Sequence, residues 1–217
     1  MTPETFTNDL EPALSSSLIG PLQIVDALDV DNWIKINPAT AAIEANGAAR
    51  PIRTITLPFS RVYPTATPST IGQVMPSYYV ASIANGGFYV SLFPIPADMD
   101  LTEPSSVYTL AAPLTSSTQT APVVRLVLGY TYGKSGEVPT DGSFAYDWTA
   151  PDNWTADETR SVMLDDGNSR TFAPDTFEQG DELALRISRL GTATEDTFDK
   201  SVKFAERLVF EYTAKSF

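Results

Sequence analysis

Apolar and polar side chains alternate in residues 182–188, near the C-terminus, and this alternation restricts the segment to a strand with one buried face. Leu183, Leu185 and Ile187 lie on the face expected to be buried. Residues 203–212 keep the same spacing with an interruption at Glu206. These two runs predict that the chain closes on core strands of an antiparallel sandwich.

Similar short runs, separated by Pro, Gly, Asn and Ser, continue from Trp33 onward. The clearest is residues 123–132, whose bulky side chains share one face and predict a central strand. Asn85-Gly86-Gly87 lies between two such runs and predicts a tight hairpin, because Asn and Gly tolerate positive φ. The predicted strands are residues 33–36, 53–59, 77–83, 87–93, 123–132, 143–148, 160–164, 171–177 and the two closing runs.

Other segments carry weaker signals. Residues 61–76 and 101–122 are rich in Pro, Ser and Thr and are expected to be long loops. The Ala-rich residues 38–46 predict a turn or two of helix. Scattered prolines make longer helices improbable elsewhere.

Residues 1–32 contain neither Lys nor Arg, and their apolar residues follow no sustained period. They are interpreted as an extended N-terminal arm that precedes one sandwich domain, residues 33–217. A disordered tail is the alternative. So many large apolar residues are unusual in a solvated tail and favour an arm that orders on a neighbouring subunit. The expected anchors are Leu18, Ile19, Leu22, Ile24, Val25 and Leu28.

The composition removes most catalytic chemistry. The chain has no Cys and no His, so disulfides, thiolate sites, histidine bases and Ser-His-Asp triads are all impossible within it. Paired carboxylates remain, but none has the arrangement that a glycosidase needs, and no enzymatic activity is expected. Asp98, Asp100 and Glu103 offer oxygen ligands for calcium without matching an EF-hand loop, and no cofactor is predicted.

The formal net charge of −13 argues against direct binding of nucleic acid, which requires clustered Lys and Arg. No basic segment followed by an apolar one marks the N-terminus, and no apolar run approaches the length needed to span a membrane. The protein is therefore expected to be soluble where it is made.

The amino-acid sequence from residue 177 onward resembles the closing strands of a jelly-roll module found in virion proteins of tailed bacteriophages. The resemblance is carried by the turn Gly180-Asp181, a strand with Arg186 and Arg189, the loop Asp196-Thr197 and a terminal strand that ends at Tyr212. It implies an all-β fold, an antiparallel β-sandwich of jelly-roll type with an extended N-terminal arm.

The resemblance also implies a function. The leading hypothesis is a bacteriophage virion structural protein that decorates and stabilises the capsid exterior as a cement protein. Its partners would be the major capsid protein and copies of itself, with a homotrimer implied by the resemblance, and it would be made in the host cytoplasm. The alternative is a tail-fibre or baseplate module that recognises a cell-surface glycan, and a carbohydrate-active enzyme is a third possibility.

Two sets of side chains follow from these hypotheses. Arg186 and Arg189 precede Asp196 across a short loop, which predicts a charge-assisted hydrogen bond that pins the loop. A sugar or receptor contact by these arginines is the alternative. Tyr146, Trp148 and Trp154, with nearby acids, resemble the mixture that stacks on sugars, whereas packing in a core or an interface is the simpler explanation.

Overall fold

The computed structural model describes residues 22–25, 33–36, 43–46, 50–62, 66–82 and 84–215. The chain divides into two compact units, Met1–Ile52 with Thr213–Phe217 and Arg53–Tyr212. The predicted boundary between an arm and a sandwich after residue 32 stays a prediction.

The described residues form strands and contain no helix, which confirms the predicted all-β, antiparallel sandwich. Among these residues no helix is long and apolar enough to cross a membrane. The strands are β1 Leu22–Val25, β2 Trp33–Ile36, β3 Ile43–Asn46, β4 Ile52–Val62, β5 Ala66–Ile71, β6 Met75–Val80, β7 Asn85–Pro94, β8 Ser105–Pro113, β9 Val123–Gly133, β10 Thr140–Thr149, β11 Arg160–Met163, β12 Glu182–Leu190, β13 Val202–Ala205 and β14 Arg207–Thr213.

The smaller unit holds a three-stranded antiparallel sheet in the order β1-β2-β3. The helix predicted over residues 38–46 is wrong for its second half, because Ile43–Asn46 is strand β3. Ile43 pairs with Ile36 of β2, and this cross-strand pairing outweighs the local helical preference of the alanines. Residues 37–42 lie outside the described residues.

The larger unit contains two sheet layers that are joined edge to edge. The first layer has the order β10-β9-β12-β7-β4, and the path continues through β14-β8-β13-β6-β5 in the second layer, where β11 also pairs with β8. Strand β4 pairs with β7 across a register shift between Phe59 and Arg61, and it also neighbours β14. A long strand with a bulge is a common way of turning the corner between packed sheets.

The core lies between the two layers, where the predicted alternation places its apolar side chains. Leu183, Leu185 and Ile187 of β12 are buried, as the sequence predicts. Phe93 of the first layer packs edge-on against Phe210 of the second, with ring centroids 5.6 Å apart. The interruption predicted at Glu206 separates β13 from β14, and both strands pair with β8.

Several local predictions are wrong. The hairpin at Asn85-Gly86-Gly87 does not form, because these residues belong to β7 and pair with β12. The two predicted loops contain strands β5 and β8, and β8 is central in its layer. Pro104 precedes β8 and Pro113 is its last residue, while Pro68 is tolerated because β5 is an edge strand. Residues 171–177 form no strand beyond a bridge between Phe172 and Ser105.

Candidate functional site

The candidate site lies on the outer face of the first layer, away from the core. In β9 the side chains of Val124, Leu126 and Leu128 are buried, so the residues between them face outward. The same alternation in β12 turns Ala184 and Arg186 outward. The outer face therefore carries the polar half of two strands whose apolar half builds the core.

Two cross-strand rows define the site. In one row Ser143 of β10 lies opposite Gly129 of β9, which lies opposite Arg186 of β12. In the adjacent row Asp141 lies opposite Thr131, which lies opposite Ala184. Each row places small and large side chains side by side. The small ones leave a depression in the sheet surface.

This depression is an open groove of about 410 Å³. A second depression of about 210 Å³ also includes Thr131 and is bordered by Leu92 and Pro139. Leu92, at the border of this second depression, is 57% exposed. The groove is lined by Gly129, Tyr130, Thr131, Asp141, Gly142, Ser143, Ala184, Leu185 and Arg186.

Arg186 lies directly over Gly129. A β-carbon placed on Gly129 would be 3.3 Å from Nε and 3.4 Å from one terminal nitrogen of the guanidinium. Glycine inside a strand weakens the strand and often marks a place where another group approaches closely, which is its role here. The Nε of Arg186 is buried and has no hydrogen-bond partner among the described residues.

The other polar groups on this face are partly engaged with one another. Thr131 donates a hydrogen bond from Oγ1 to Oδ1 of Asp141 at 2.5 Å. Arg125 binds both carboxylate oxygens of Asp147 at 3.1 and 3.0 Å and lies 3.5 Å from Glu195. The charge of Arg125 is therefore balanced within the protein, whereas Nε of Arg186 is left without a partner.

The predicted loop pin is present, but it uses one of the two arginines. Arg189 donates from Nε and a terminal nitrogen to the two oxygens of Asp196, at 2.8 and 2.7 Å. Arg186 is not part of this pair. Residues three apart in a strand point to opposite faces, so Arg189 enters the core and Arg186 faces the groove.

The predicted aromatic set lies on the inner face of the sheet. Tyr146 and Trp148 stand opposite Leu126 and Val124, which are buried. Trp154 has no exposed surface and packs edge-on against Trp148, with ring centroids 5.2 Å apart. A ring without accessible surface cannot stack on a sugar in this conformation, which favours the alternative of core packing, and a glycan contact by Trp154 stays a prediction.

Tyr146 and Trp148 are half-buried. Burial raises the pKa of Tyr146, and the negative charge of Asp165 raises it further. This tyrosine therefore stays protonated over an extended alkaline range. A glycan contact by Tyr146 or Trp148 stays a prediction.

The predicted arm contacts fall largely outside the described residues. Leu22, Ile24 and Val25 lie in β1, whose backbone pairs with β2, while Leu18, Ile19 and Leu28 lie outside the described residues. The pairing of β1 with β2 does not test whether the arm contacts a capsid protein or a second copy of this chain. Capsid decoration, the homotrimer and the virion location stay predictions.

Carboxylates outside the groove are engaged in ways typical of structural groups. Glu206 accepts a hydrogen bond from the hydroxyl of Tyr78, and Glu211 accepts one from Tyr108, each at 3.2 Å. Asp98 pairs with Arg53 and accepts from Tyr212. Within the described part of the chain, no three carboxylates cluster in a way that would hold a metal ion.

No protein-family model and no curated protein matches this chain. Solved structures similar to it include carbohydrate-binding modules. One is TmCBM61 in complex with β-1,4-galactotriose, with 9% identity, 75% of this chain and 88% of that chain covered and a TM-score of 0.35. Another is the C-terminal family 22 module of Clostridium thermocellum Xyn10B, with 9% identity, 75% and 88% coverage and a TM-score of 0.36.

A family 30 carbohydrate-binding module is also similar, with 12% identity, 72% of this chain and 98% of that chain covered and a TM-score of 0.31. At these values the likeness transfers no ligand, site or partner to this chain. The function has to be argued from the groove itself.

Proposed function

We propose that this protein binds a glycan, without catalysis, in the groove on the outer face of β10, β9 and β12. The observation that carries the proposal is the composition of that groove. Hydrogen-bonding side chains of Thr131, Asp141, Ser143 and Arg186 line an open depression that continues to an exposed Leu92. This agrees with the host-recognition alternative of the sequence, although the side chains differ from the predicted aromatic set.

Sugars require this mixture of groups. Each sugar hydroxyl is both a donor and an acceptor, so a carbohydrate site needs side chains of both kinds within reach of one ring. Asp141 supplies acceptors, Arg186 supplies donors and Ser143 supplies both. The C–H faces of a sugar need apolar contact, which Leu92 and Pro139 offer at one end of the groove.

The shape of the site favours a chain rather than a small enclosed molecule. The two depressions both include Thr131 and lie along the strands, so a ligand with several linked rings would fit better than a single ring. A glycosidase would also need two carboxylates across the scissile bond. Asp141 is the one carboxylate that lines the main groove, and Glu182 borders the second depression, so binding without catalysis is part of the proposal and not a consequence of the composition of the groove.

The first test is a screen of the full chain on a broad glycan array, followed by titration calorimetry with the best ligand. The double variant T131V/S143A removes two hydroxyls while keeping strand-compatible side chains. Because a neutral hydrogen bond contributes about 0.5–1.5 kcal/mol, we expect affinity to fall by roughly tenfold.

The matched control is T149V/S161A. Thr149 lies at the far end of β10 and Ser161 lies on β11, and both are exposed and outside the groove. Affinity within about twofold of the wild type is expected for this control. The proposal is overturned if no glycan binds, or if both double variants bind as the wild type does.

A further inference from the structure

We propose that the groove selects sugars that carry a carboxylate, such as hexuronates, and that Arg186 binds that carboxylate. The proposal rests on the proposed function and names the ligand class of the same site. It starts from a half-buried arginine whose Nε is buried without a hydrogen-bond partner among the described residues, in a protein with an excess of acidic side chains.

Arg186 is exceptional among the buried polar groups of the described residues. Four buried side-chain atoms have no hydrogen-bond partner there, and three are hydroxyls, of Ser77, Ser105 and Thr109. The fourth is Nε of Arg186, which belongs to a charged group. An unsatisfied donor of a charged group costs more than an unsatisfied hydroxyl, so an acceptor supplied by a ligand at this guanidinium would be stabilising.

Other arginines of the larger unit show how such charges are normally balanced. Arg125 pairs with Asp147, Arg160 with Glu158, Arg170 with Asp166 and Arg189 with Asp196. The chain carries 27 acidic and 14 basic side chains, so carboxylates are abundant. Arg186 nevertheless faces the groove. Asp141 is the acid that lines this groove, and its carboxylate accepts a hydrogen bond from Thr131.

The position of the guanidinium suits a planar anion. It lies over Gly129, where the missing side chain lets it rest against the sheet in the row that leads to Ser143. A guanidinium fork binds a carboxylate through two parallel hydrogen bonds, which a hydroxyl cannot accept in the same way. A carboxylate on one sugar ring would therefore be recognised by Arg186, while Asp141 and Ser143 would bind its hydroxyls.

The charge of the surroundings limits the ligand to few negative groups. The formal net charge is −13, Asp141 lies in the adjacent row, and Arg125 on the same face is paired with Asp147 and Glu195. A densely sulfated chain would meet Arg186 and, in the second depression, Lys134, which pairs with Glu178, among several carboxylates. The site therefore fits one carboxylate in an otherwise neutral sugar environment.

The experiment compares matched ligands on the full chain. Uronate-containing oligosaccharides, their carboxyl-reduced neutral counterparts and sulfated oligosaccharides of the same backbone are titrated by calorimetry. We expect the acidic form to bind at least about tenfold more tightly than the reduced form, as a charge-assisted hydrogen bond implies. In R186Q this preference should fall to about twofold, mainly through weaker binding of the acidic form.

Two further variants separate the charge from its placement. G129A keeps the arginine but displaces it by a few tenths of an ångström, so we expect an intermediate loss of the preference. R160Q removes a paired surface arginine outside the groove and should leave the preference unchanged. Circular dichroism and thermal melting of each variant establish that it is folded before its preference is compared.

The outcomes separate this proposal from the proposed function. Equal binding of acidic and reduced ligands, or an unchanged preference in R186Q, overturns the carboxylate proposal and leaves glycan binding intact. Tighter binding of sulfated than of uronate ligands also overturns it. Absence of binding to every ligand overturns both.

Discussion

Arg189 and Asp196 form a two-point ion pair in which neither side chain has any exposed surface. The guanidinium also donates to the carbonyl oxygens of Lys200 and Phe198, each at 2.7 Å. The carboxylate accepts a further hydrogen bond from the backbone N–H of Arg125 at 3.1 Å. The pair thus ties the loop after β12 to β9.

Asp196→Ala is expected to destabilise the protein severely. Removal of the carboxylate leaves Arg189 buried without its counter-charge, and breaking a buried pair from one side costs about 3–5 kcal/mol. For a chain of this size that corresponds to a fall in melting temperature of roughly 10 °C. Urea denaturation followed by circular dichroism measures the free energy of unfolding.

The comparison variant is Asp199→Ala, three residues further on. Asp199 pairs with Lys200 at the surface, with 53% of its side chain exposed, and this exchange should cost less than about 0.5 kcal/mol. Equal effects of the two substitutions would show that the buried pair does not stabilise the loop.

Stability should fall in acid through Asp157. The hydrogen bond from Lys203, at 2.5 Å, lowers the pKa of Asp157, although burial opposes this shift. The folded-state pKa of Asp157 therefore lies below its unfolded value of about 3.9. The contribution of ionised Asp157 to the free energy of unfolding is complete at pH values above the unfolded pKa, and it is lost as the pH falls through the folded pKa.

Unfolding free energies of the wild type and Asp157→Asn at several pH values test this. The wild type should be the more stable at neutral pH, and the difference should narrow below about pH 4 as Asp157 becomes protonated. A difference that is constant with pH would show that the ionised form of Asp157 is not favoured by folding.

The sequence predicts correctly the strands in which apolar and polar side chains alternate strongly. Its prediction is wrong where residues inside a strand have the composition of a turn. Residues 123–132 and 182–188 show bulky side chains on one face, and both lie in central strands of the first layer. Asn85-Gly86-Gly87 has the sequence of a hairpin turn, but Gly87 allows close approach to the backbone of β12. The local sequence alone does not distinguish a glycine that forms a turn from a glycine that lets two backbones approach closely.

Gly87→Ala should therefore disturb the pairing of β7 with β12. A β-carbon at this position would lie 1.9 Å from the carbonyl oxygen of Ile187 and 2.7 Å from Cα of Ser188. Because both are backbone atoms, the overlap can be relieved only by moving a strand, and we expect a loss of about 2–3 kcal/mol in the free energy of unfolding.

Gly129→Ala provides the matched control in the same layer. Its nearest neighbours are the movable end of the Arg186 side chain, so the loss of stability should stay below about 1 kcal/mol. If alanine costs equally little at both positions, the close approach to the β12 backbone is not the reason that position 87 is glycine.

The candidate site is less visible in the sequence than the fold. Arg186 and Arg189 look equivalent in one strand, and their three-residue separation assigns them to opposite faces without saying which face is the core. The groove depends on the pairing of Ser143, Gly129 and Arg186 across three strands. Gly129 within an apolar strand was the available signal, but its partners follow only from the register.

Trp154→Phe tests whether the buried tryptophan is structural or contacts a ligand. Its Nε1 donates to the carbonyl oxygen of Glu158 at 2.8 Å, and its ring packs against Trp148 and Phe198. Phenylalanine leaves that carbonyl unpaired and a small cavity, so stability should fall by about 2–3 kcal/mol. Glycan affinity should remain within about twofold of the wild type, since the ring faces the core. Lost glycan binding at unchanged stability would instead assign this ring to ligand contact and displace the groove as the binding site.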